Sequence, residues 1–489
     1  MTKLTFKQYT HFLIATAVML FMILFPFPDS ILTAGDAILG MDGRISLGIM
    51  FFCLYLWITE PVPFHITGCI GVLILTFFRI SNAAGQTISF NRIVELGFGN
   101  NTVVFFIGVL TLSSIITKSG LGKRVSMFIL SLTGNKTSNI ILGFIITGAI
   151  VGTFITNMAV AAMLIPIAKS MLEEEGLKPL KSNFGRALMI SCAFGSGISG
   201  VTTPAAAGPN IIAMDYMKNI GVNISFLEWM LYGIPAAALM IIPCWLLLIK
   251  LFKPEISHLS KTKEDLKKEF KELGPMNRNE IATTVIFGIT VALWISSTWL
   301  TDIIGIDLSG TIPALICVCL VFLPGVTTFK WKEISGDISW DGIILIATGM
   351  SLGLVLGETG AAAWLANVLM GGIINLNPII LIFMLVMIVS LIKVGLSSNT
   401  VAAAVIMPVI IALVQTNNLP LVGILLPTAL SLSLAFILVA SSPTNLIPYS
   451  TGYFSITDMA KAGVFMTVIS SVVIALVFWG IGSFTGLFA

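Results

Sequence analysis

Polar side chains able to bind a solute recur at fixed spacing inside otherwise apolar stretches of this chain. Thr156-Asn157-Met158 precedes Ala-Val-Ala-Ala-Met-Leu-Ile-Pro166, and Ser398-Asn399-Thr400 precedes Val-Ala-Ala-Ala-Val-Ile-Met-Pro408. Asparagine falls on asparagine and proline on proline, 242 residues apart. Further on, Gly208-Pro209-Asn210 matches Pro443-Thr444-Asn445. A lone Ser-Asn-Thr in an apolar helix reads as packing or a local bend; its repetition with a second repeated break downstream argues for a site. Backbone freed from helical hydrogen bonds is tolerated at membrane depth only where protein or a water-filled cavity surrounds it. Polar breaks repeated in two halves are a way to build a solute site near the midplane. A helix starting at each tip aims free N–H groups at that site, and each N-terminus acts as roughly half a positive charge. Two such ends suit a ligand with two separated negative groups. The side-chain amides of Asn157 and Asn399 and the hydroxyl of Thr400 add donors. Leaving carbonyls, with Thr156, Ser398, Ser441 and Ser442, offer oxygens to a hard cation such as Na+.

Lys393 is the only basic residue between Lys332 and Lys461, and it lies five residues before Ser398. Five residues of helix rise about 7–8 Å, so its long side chain is expected to reach the tip as a charge-balancing group with bound substrate as its partner. The alternative is snorkelling toward a headgroup. Val151 holds the equivalent place in the first half.

The elements that position these residues follow from composition. The chain has 489 residues, 56% hydrophobic and 10% charged, well below the ~25% charge of an average soluble domain. Apolar runs near the ~20 residues that cross a bilayer recur throughout, so the expected class is an all-α polytopic membrane protein. About eleven transmembrane helices are expected, with two over-long segments, 137–174 and 377–415, read as re-entrant hairpins. The span at 421–452 is expected to break near Ser441–Asn445. With the N-terminus in the cytosol, the basic residues of 118–136, 169–186 and 250–278 all collect on the cytoplasmic side, while Arg44, Arg79, Arg92 and Lys218 stay outside. That asymmetry fits the positive-inside rule. The division is an N-terminal span (1–44), a first repeat (45–252), a cytoplasmic linker (253–280) and a second repeat (281–489). An odd number of crossings per repeat inverts one relative to the other.

Other features carry less. Gly195-Ser-Gly197-Ile-Ser-Gly200 matches a dinucleotide fingerprint as a string, but no βαβ unit precedes it, and its glycines are expected to permit close helix packing. His11, His65 and His258 show no metal spacing, and the six cysteines read as small buried hydrophobes. Trp57, Trp294 and Trp299 read as interfacial anchors, and Glu358 as a paired carboxylate or one near an interface. No acid–base or metal cluster points to an enzyme, and no polar stripe points to a channel pore.

At these motifs the chain resembles the divalent anion:sodium symporter family, the INDY-type di- and tricarboxylate carriers. The resemblance covers nearly the whole chain from about Leu47. It implies a homodimer in the cell membrane whose outer scaffold holds a mobile transport domain that moves as an elevator. It further implies that Thr156, Asn157, Met158, Gly208, Pro209, Ser398, Asn399, Thr400, Ser442, Pro443 and Thr444 form the dicarboxylate site. Na+, where used, would lie at Thr156, Asn157, Ser398, Asn399 and carbonyls near Gly208 and Ala440. No other cofactor and no nucleic acid is implied. Three departures bear on coupling. Met158 replaces a hydroxyl, the break 201–210 is longer and richer in alanine than the family's, and Lys393 brings a charge near the second cation position. A built-in ammonium balancing substrate charge predicts Na+-independent exchange of C4/C5 dicarboxylates (succinate, malate, fumarate, 2-oxoglutarate); the alternative is Na+-coupled symport of di- or tricarboxylates.

Overall fold

The computed structural model of the protein describes residues 3–260, 263–305, 308, 310–370, 372, 376–396 and 398–485; position 397, inside the expected second hairpin, lies outside them. Helices dominate. After the N-terminal helix Lys3–Leu24 and a short two-stranded ribbon come ten helices: Met41–Thr59, Phe64–Phe78, Phe90–Gly97, Asn101–Ser119, Leu121–Thr133, Thr137–Val151, Asn157–Glu174, Asn183–Ser199, Gly208–Asn219 and Phe226–Leu251. The linker helix Lys263–Glu272 follows. Ten more then run in matching order: Arg278–Ile304, Thr311–Phe322, Trp331–Ser335, Trp340–Glu358, Ala361–Met370, Pro378–Ile392, Asn399–Thr416, Leu421–Ser431, Pro443–Tyr449 and Ile456–Thr485. The repeat thus extends from the motifs to the element order. Asn101–Ser119 and Trp340–Glu358, the two wall helices, both turn directly into a further helix. They do so at Gly120 and Gly360, whose φ of +89° and +75° lies in the left-handed region that glycine adopts without strain.

Eight described helices are long and apolar enough to cross a bilayer, against about eleven expected. That set includes both arms of the second over-long segment. Phe64–Phe78, Thr311–Phe322 and Leu421–Ser431 are apolar but shorter. A 15-residue helix such as Phe64–Phe78 rises only about 22 Å, less than the ~30 Å hydrocarbon core.

Packing depends on small residues, as the glycine string implies. A methyl group on Gly148 would come within 2.7 Å of the Gly195 backbone, and one on Gly195 within 2.8 Å of the Ile145 carbonyl. The helices Thr137–Val151 and Asn183–Ser199 therefore touch backbone to backbone. Two tryptophan expectations are corrected. Trp57 and Trp294 are 1% and 2% exposed, and each donates its indole N–H to a carbonyl, of Phe64 and Gly310, so both are core residues; Trp299 is exposed. A buried indole needs an acceptor, and both found one at the start of the next helix. Cys69 and Cys319 are exposed while the other four cysteines are buried. Glu358 pairs with Arg92 at 3.1 Å.

Candidate functional site

Both over-long segments break where the motifs stand. The first arm of one ends at Val151 and its second arm starts at Asn157; in the other, Pro378–Ile392 runs into a 3-10 turn, Lys393–Gly395, and the helix restarts at Asn399. Thr156 and Ser398 are the residues just before the restarted helices, and the Ser398 hydroxyl accepts from the Val401 N–H at 3.4 Å. The two downstream spans also break. Asn183–Ser199 resumes as Gly208–Asn219, and Leu421–Ser431 resumes as Pro443–Tyr449. The second break opens at Leu432, well before the Ser441–Asn445 expected from sequence. The resumed helices cross over: Gly208–Asn219 packs on the second segment's outgoing arm, and Pro443–Tyr449 on the first segment's. The outgoing arms and the resumed helices of the two halves thereby interlock.

The open backbone of each break is held by named side chains, as buried carbonyls require. The Asn210 amide donates to the carbonyls of Gly200 (2.6 Å) and Thr203 (2.8 Å). The Asn445 amide donates to Ala435 (2.8 Å) and Leu438 (3.1 Å). Both asparagines reach back ten and seven residues, so the two breaks share one fold. Pro408 has no N–H to return to the Ala404 carbonyl; the Tyr216 hydroxyl, from the first broken span, donates to it at 3.2 Å.

Lys393 explains the early opening of the second break. It is 2% exposed, and its ammonium donates to the carbonyls of Ser431 (3.2 Å), Leu432 (2.5 Å) and Leu434 (2.7 Å). An ammonium has three N–H donors, so all three are engaged by the backbone. The expected partner, bound substrate, is replaced by the carbonyl end of Leu421–Ser431, where the helix dipole favours a cation. Snorkelling is excluded by the same burial. Beside Lys393 lies a cavity of about 10 Å³ lined by Ser390, Ser441 and Thr467, about the size of one water. The Ser441 hydroxyl and the Asn399 Oδ1 are buried with no hydrogen-bond partner among the described residues.

The two tip asparagines are brought to the junction of the breaks. Asn157 Oδ1 accepts from the Ser199 hydroxyl at 3.1 Å, and Asn399 Nδ2 donates to the Ser433 carbonyl at 3.3 Å. Ser433 in turn donates its hydroxyl to Asn210 Oδ1 at 2.5 Å. A methyl on Gly200 would meet Asn157 Nδ2 at 2.9 Å and Ser433 Cβ at 3.0 Å, which places Gly200 between the first tip and the second break. Thr400 lies across from Gly208: a methyl there would sit 3.1 Å from the Thr400 Oγ1 and 2.9 Å from Phe106 Cζ. Pro209 is buried behind Gly208, and Met158 is 47% exposed at the first tip. Ser442 and Thr444 are buried, Pro443 and Ala440 exposed, and the Ser442 hydroxyl caps its own helix by accepting from the Thr444 N–H at 3.3 Å. The two large cavities, of about 450 and 920 Å³, are lined by none of these expected site residues except through their neighbours, the larger carrying Asp215, Lys218 and Asp302. Sequence reasoning missed Ser199, Ser433 and Phe106. Serine is common in these helices, and nothing local marks the two that face the tips.

The donor set tells the two halves apart for Na+. At Asn157, the carboxamide oxygen lies beside the Ser199 hydroxyl, an oxygen pair of the kind a hard cation takes. In the second half the break's carbonyls already hold an ammonium.

Known proteins fit this architecture. The chain is 28% identical over 452 residues to the sodium-dependent dicarboxylate transporter SdcS of Staphylococcus saprophyticus, covering 89% of this chain and 85% of that protein. It is 27% identical over 454 residues to SdcS of Staphylococcus aureus, with the same coverage of 89% and 85%. Its fold matches the YdaH transporter of Alcanivorax borkumensis, with TM-score 0.57, 14% identity and coverage of 91% of this chain and 99% of that one. It also matches MtrF of Neisseria gonorrhoeae, with TM-score 0.55, 11% identity and coverage of 95% and 97%. The family described as the sodium:sulfate symporter transmembrane region matches residues 6–484, so this chain is a multi-pass membrane transporter belonging to that family.

Proposed function

We propose that the protein exchanges C4/C5 dicarboxylates across the cell membrane without Na+. The substrate class is supported by helices that restart at two asparagine tips, whose N-termini suit two carboxylates on one ligand, and by the similarity to the sodium-dependent dicarboxylate transporters SdcS. The observation that carries exchange is the Lys393 ammonium on three carbonyls of the second break. A tethered cation there balances substrate charge but cannot leave with it. An empty carrier would then have to carry a buried net positive charge with no anion beside it to the other face, a costly step, and return loaded is favoured.

This reading includes 137–174 and 377–415 as re-entrant hairpins in inverted repeats, an elevator movement, a homodimer and a cytoplasmic N-terminus. Repeated element order and the basic-residue asymmetry support it. Na+-coupled symport is the second reading, favoured by the cation-suited oxygens around Asn157 and by the relatives' sodium dependence.

The test of substrate class is counterflow. Vesicles holding the purified protein and loaded with succinate should take up labelled succinate. Loading with acetate or sulfate should leave uptake near that of protein-free vesicles. Efficient drive by sulfate would replace the dicarboxylate reading with an inorganic-anion one.

A further inference from the structure

The first tip is attached to something the second is not. Ser113 lies on the wall helix Asn101–Ser119 and is 5% exposed. Its hydroxyl oxygen accepts a hydrogen bond from the Thr156 backbone N–H at 3.1 Å. Two residues earlier, Phe154 meets Phe287 of Arg278–Ile304 edge to face, with ring centroids 4.7 Å apart. The first tip is thus fastened to two helices outside the group formed by the over-long segments and broken spans. The tip contacts described for Asn399 and Lys393 stay inside that group, at Ser433 and at residues 431, 432 and 434. Counted back seven residues from the matching turns at Gly120 and Gly360, the residue opposite Ser113 on the other wall helix is Gly353, which has no hydroxyl.

The Thr156 N–H is one of the amide donors at the start of Asn157–Glu174, and an amide there serves a carboxylate better than a neutral hydroxyl, because hydrogen bonds to a charged acceptor are the stronger ones. We propose that Ser113 is a positioning residue: it holds the first tip to the wall helix while the site is empty, and a substrate carboxylate competes with it for the tip N–H groups. Binding then loosens the tip from the wall, so that the loaded carrier moves and the empty one stays. This rests on the exchange and elevator reading above and adds the contact that would enforce it.

The experiment uses the full-length protein in vesicles and reads two rates, labelled succinate exchange and net succinate efflux into dicarboxylate-free medium. Loss of one hydrogen bond to a neutral group corresponds to about three- to tenfold. Ser113→Ala should raise the ratio of net efflux to exchange by about that factor, with exchange itself changed less than about threefold. Ser113→Thr, which keeps the hydroxyl, should restore the natural ratio. Phe287→Ala, which removes the other tip contact, should raise it in the same direction and serves if Ser113→Ala does not fold. Succinate affinity in detergent should rise slightly in Ser113→Ala, because a competitor for the N–H is gone. An unchanged ratio in both variants, beside strict exchange in the natural protein, overturns the latch and leaves the exchange reading standing. A clear fall in affinity also overturns it, since Ser113 would then be a substrate ligand. Net flux as fast as exchange in the natural protein defeats the exchange reading instead, and the affinity measurement still decides whether Ser113 competes with substrate.

Discussion

The two halves of this transporter share helix order and differ in how each over-long segment meets its broken span. In the first, contact is made by removing side chains. Gly148 lies against Gly195, and a methyl on Gly152 would come within 2.1 Å of the Ser199 hydroxyl. In the second, Ser390 and Val394 stand at the places of those glycines, and Lys393 fills the widened gap with a charge held by three carbonyls. The Asn210 and Asn445 clasps are the same in both. A repeated helix order thus keeps the same break geometry while one copy changes what sits beneath it. The first half sets the Ser199 hydroxyl against the Asn157 carboxamide oxygen, and the second has an internal cation.

Altering Lys393 should have the largest effect on this comparison. Lys393→Ala removes three hydrogen bonds and leaves buried carbonyls without donors, each worth about 1–3 kcal/mol when unmade. Na+-free exchange should fall more than tenfold. The second half would then resemble the first, and partial recovery on adding Na+ is expected in the same vesicle assay. Full activity without Na+ would remove the ammonium from the mechanism.

The tip asparagines come next. Asn157→Ala and Asn399→Ala each delete a donor to a charged acceptor, about 1.5–3 kcal/mol, so succinate binding should weaken more than tenfold while the protein still inserts and purifies. Near-normal binding by Asn399→Ala would take the second tip out of the site.

Gly208→Ala should be smaller and side-specific. The added methyl would press on Phe106 Cζ at 2.9 Å and Thr400 Oγ1 at 3.1 Å, and transport should drop several-fold. Phe106→Leu in the same chain should recover part of the loss, because it relieves one of the two contacts. No recovery would place the cost in the backbone.

The smallest contrast separates the two tip side chains. Thr400→Ala loses a hydroxyl donor and should lower affinity about three- to tenfold, whereas Met158→Ala, which loses a thioether that donates nothing, should change it less than about twofold. Binding measured on both variants checks this. A more damaging Met158 change would reverse the assignment of the carboxylate contacts.

Much of this was legible in the sequence because it depends on local order. The Asn–Pro spacing located both restarts. The glycine string declared its close packing. What stayed hidden depends on partners far along the chain. Lys393 was identifiable as unusual, with substrate or a headgroup as its expected partner, but its acceptors lie 38 to 41 residues on, in carbonyls that every sequence possesses. For the same reason the second break was expected near Ser441–Asn445, when it opens at Leu432, where the ammonium takes the place of helical N–H donors. Trp294 lies ten residues inside the end of Arg278–Ile304 and is buried, stacked on Phe226 with centroids 4.4 Å apart. Position along a helix does not say which face meets protein.

The most direct test of the central claim is labelled succinate uptake into vesicles of the natural protein, with internal dicarboxylate and Na+ varied independently. The account predicts rapid uptake only when dicarboxylate is inside, at a rate that Na+ leaves unchanged. Uptake into empty vesicles that requires an inward Na+ gradient would contradict it and establish symport.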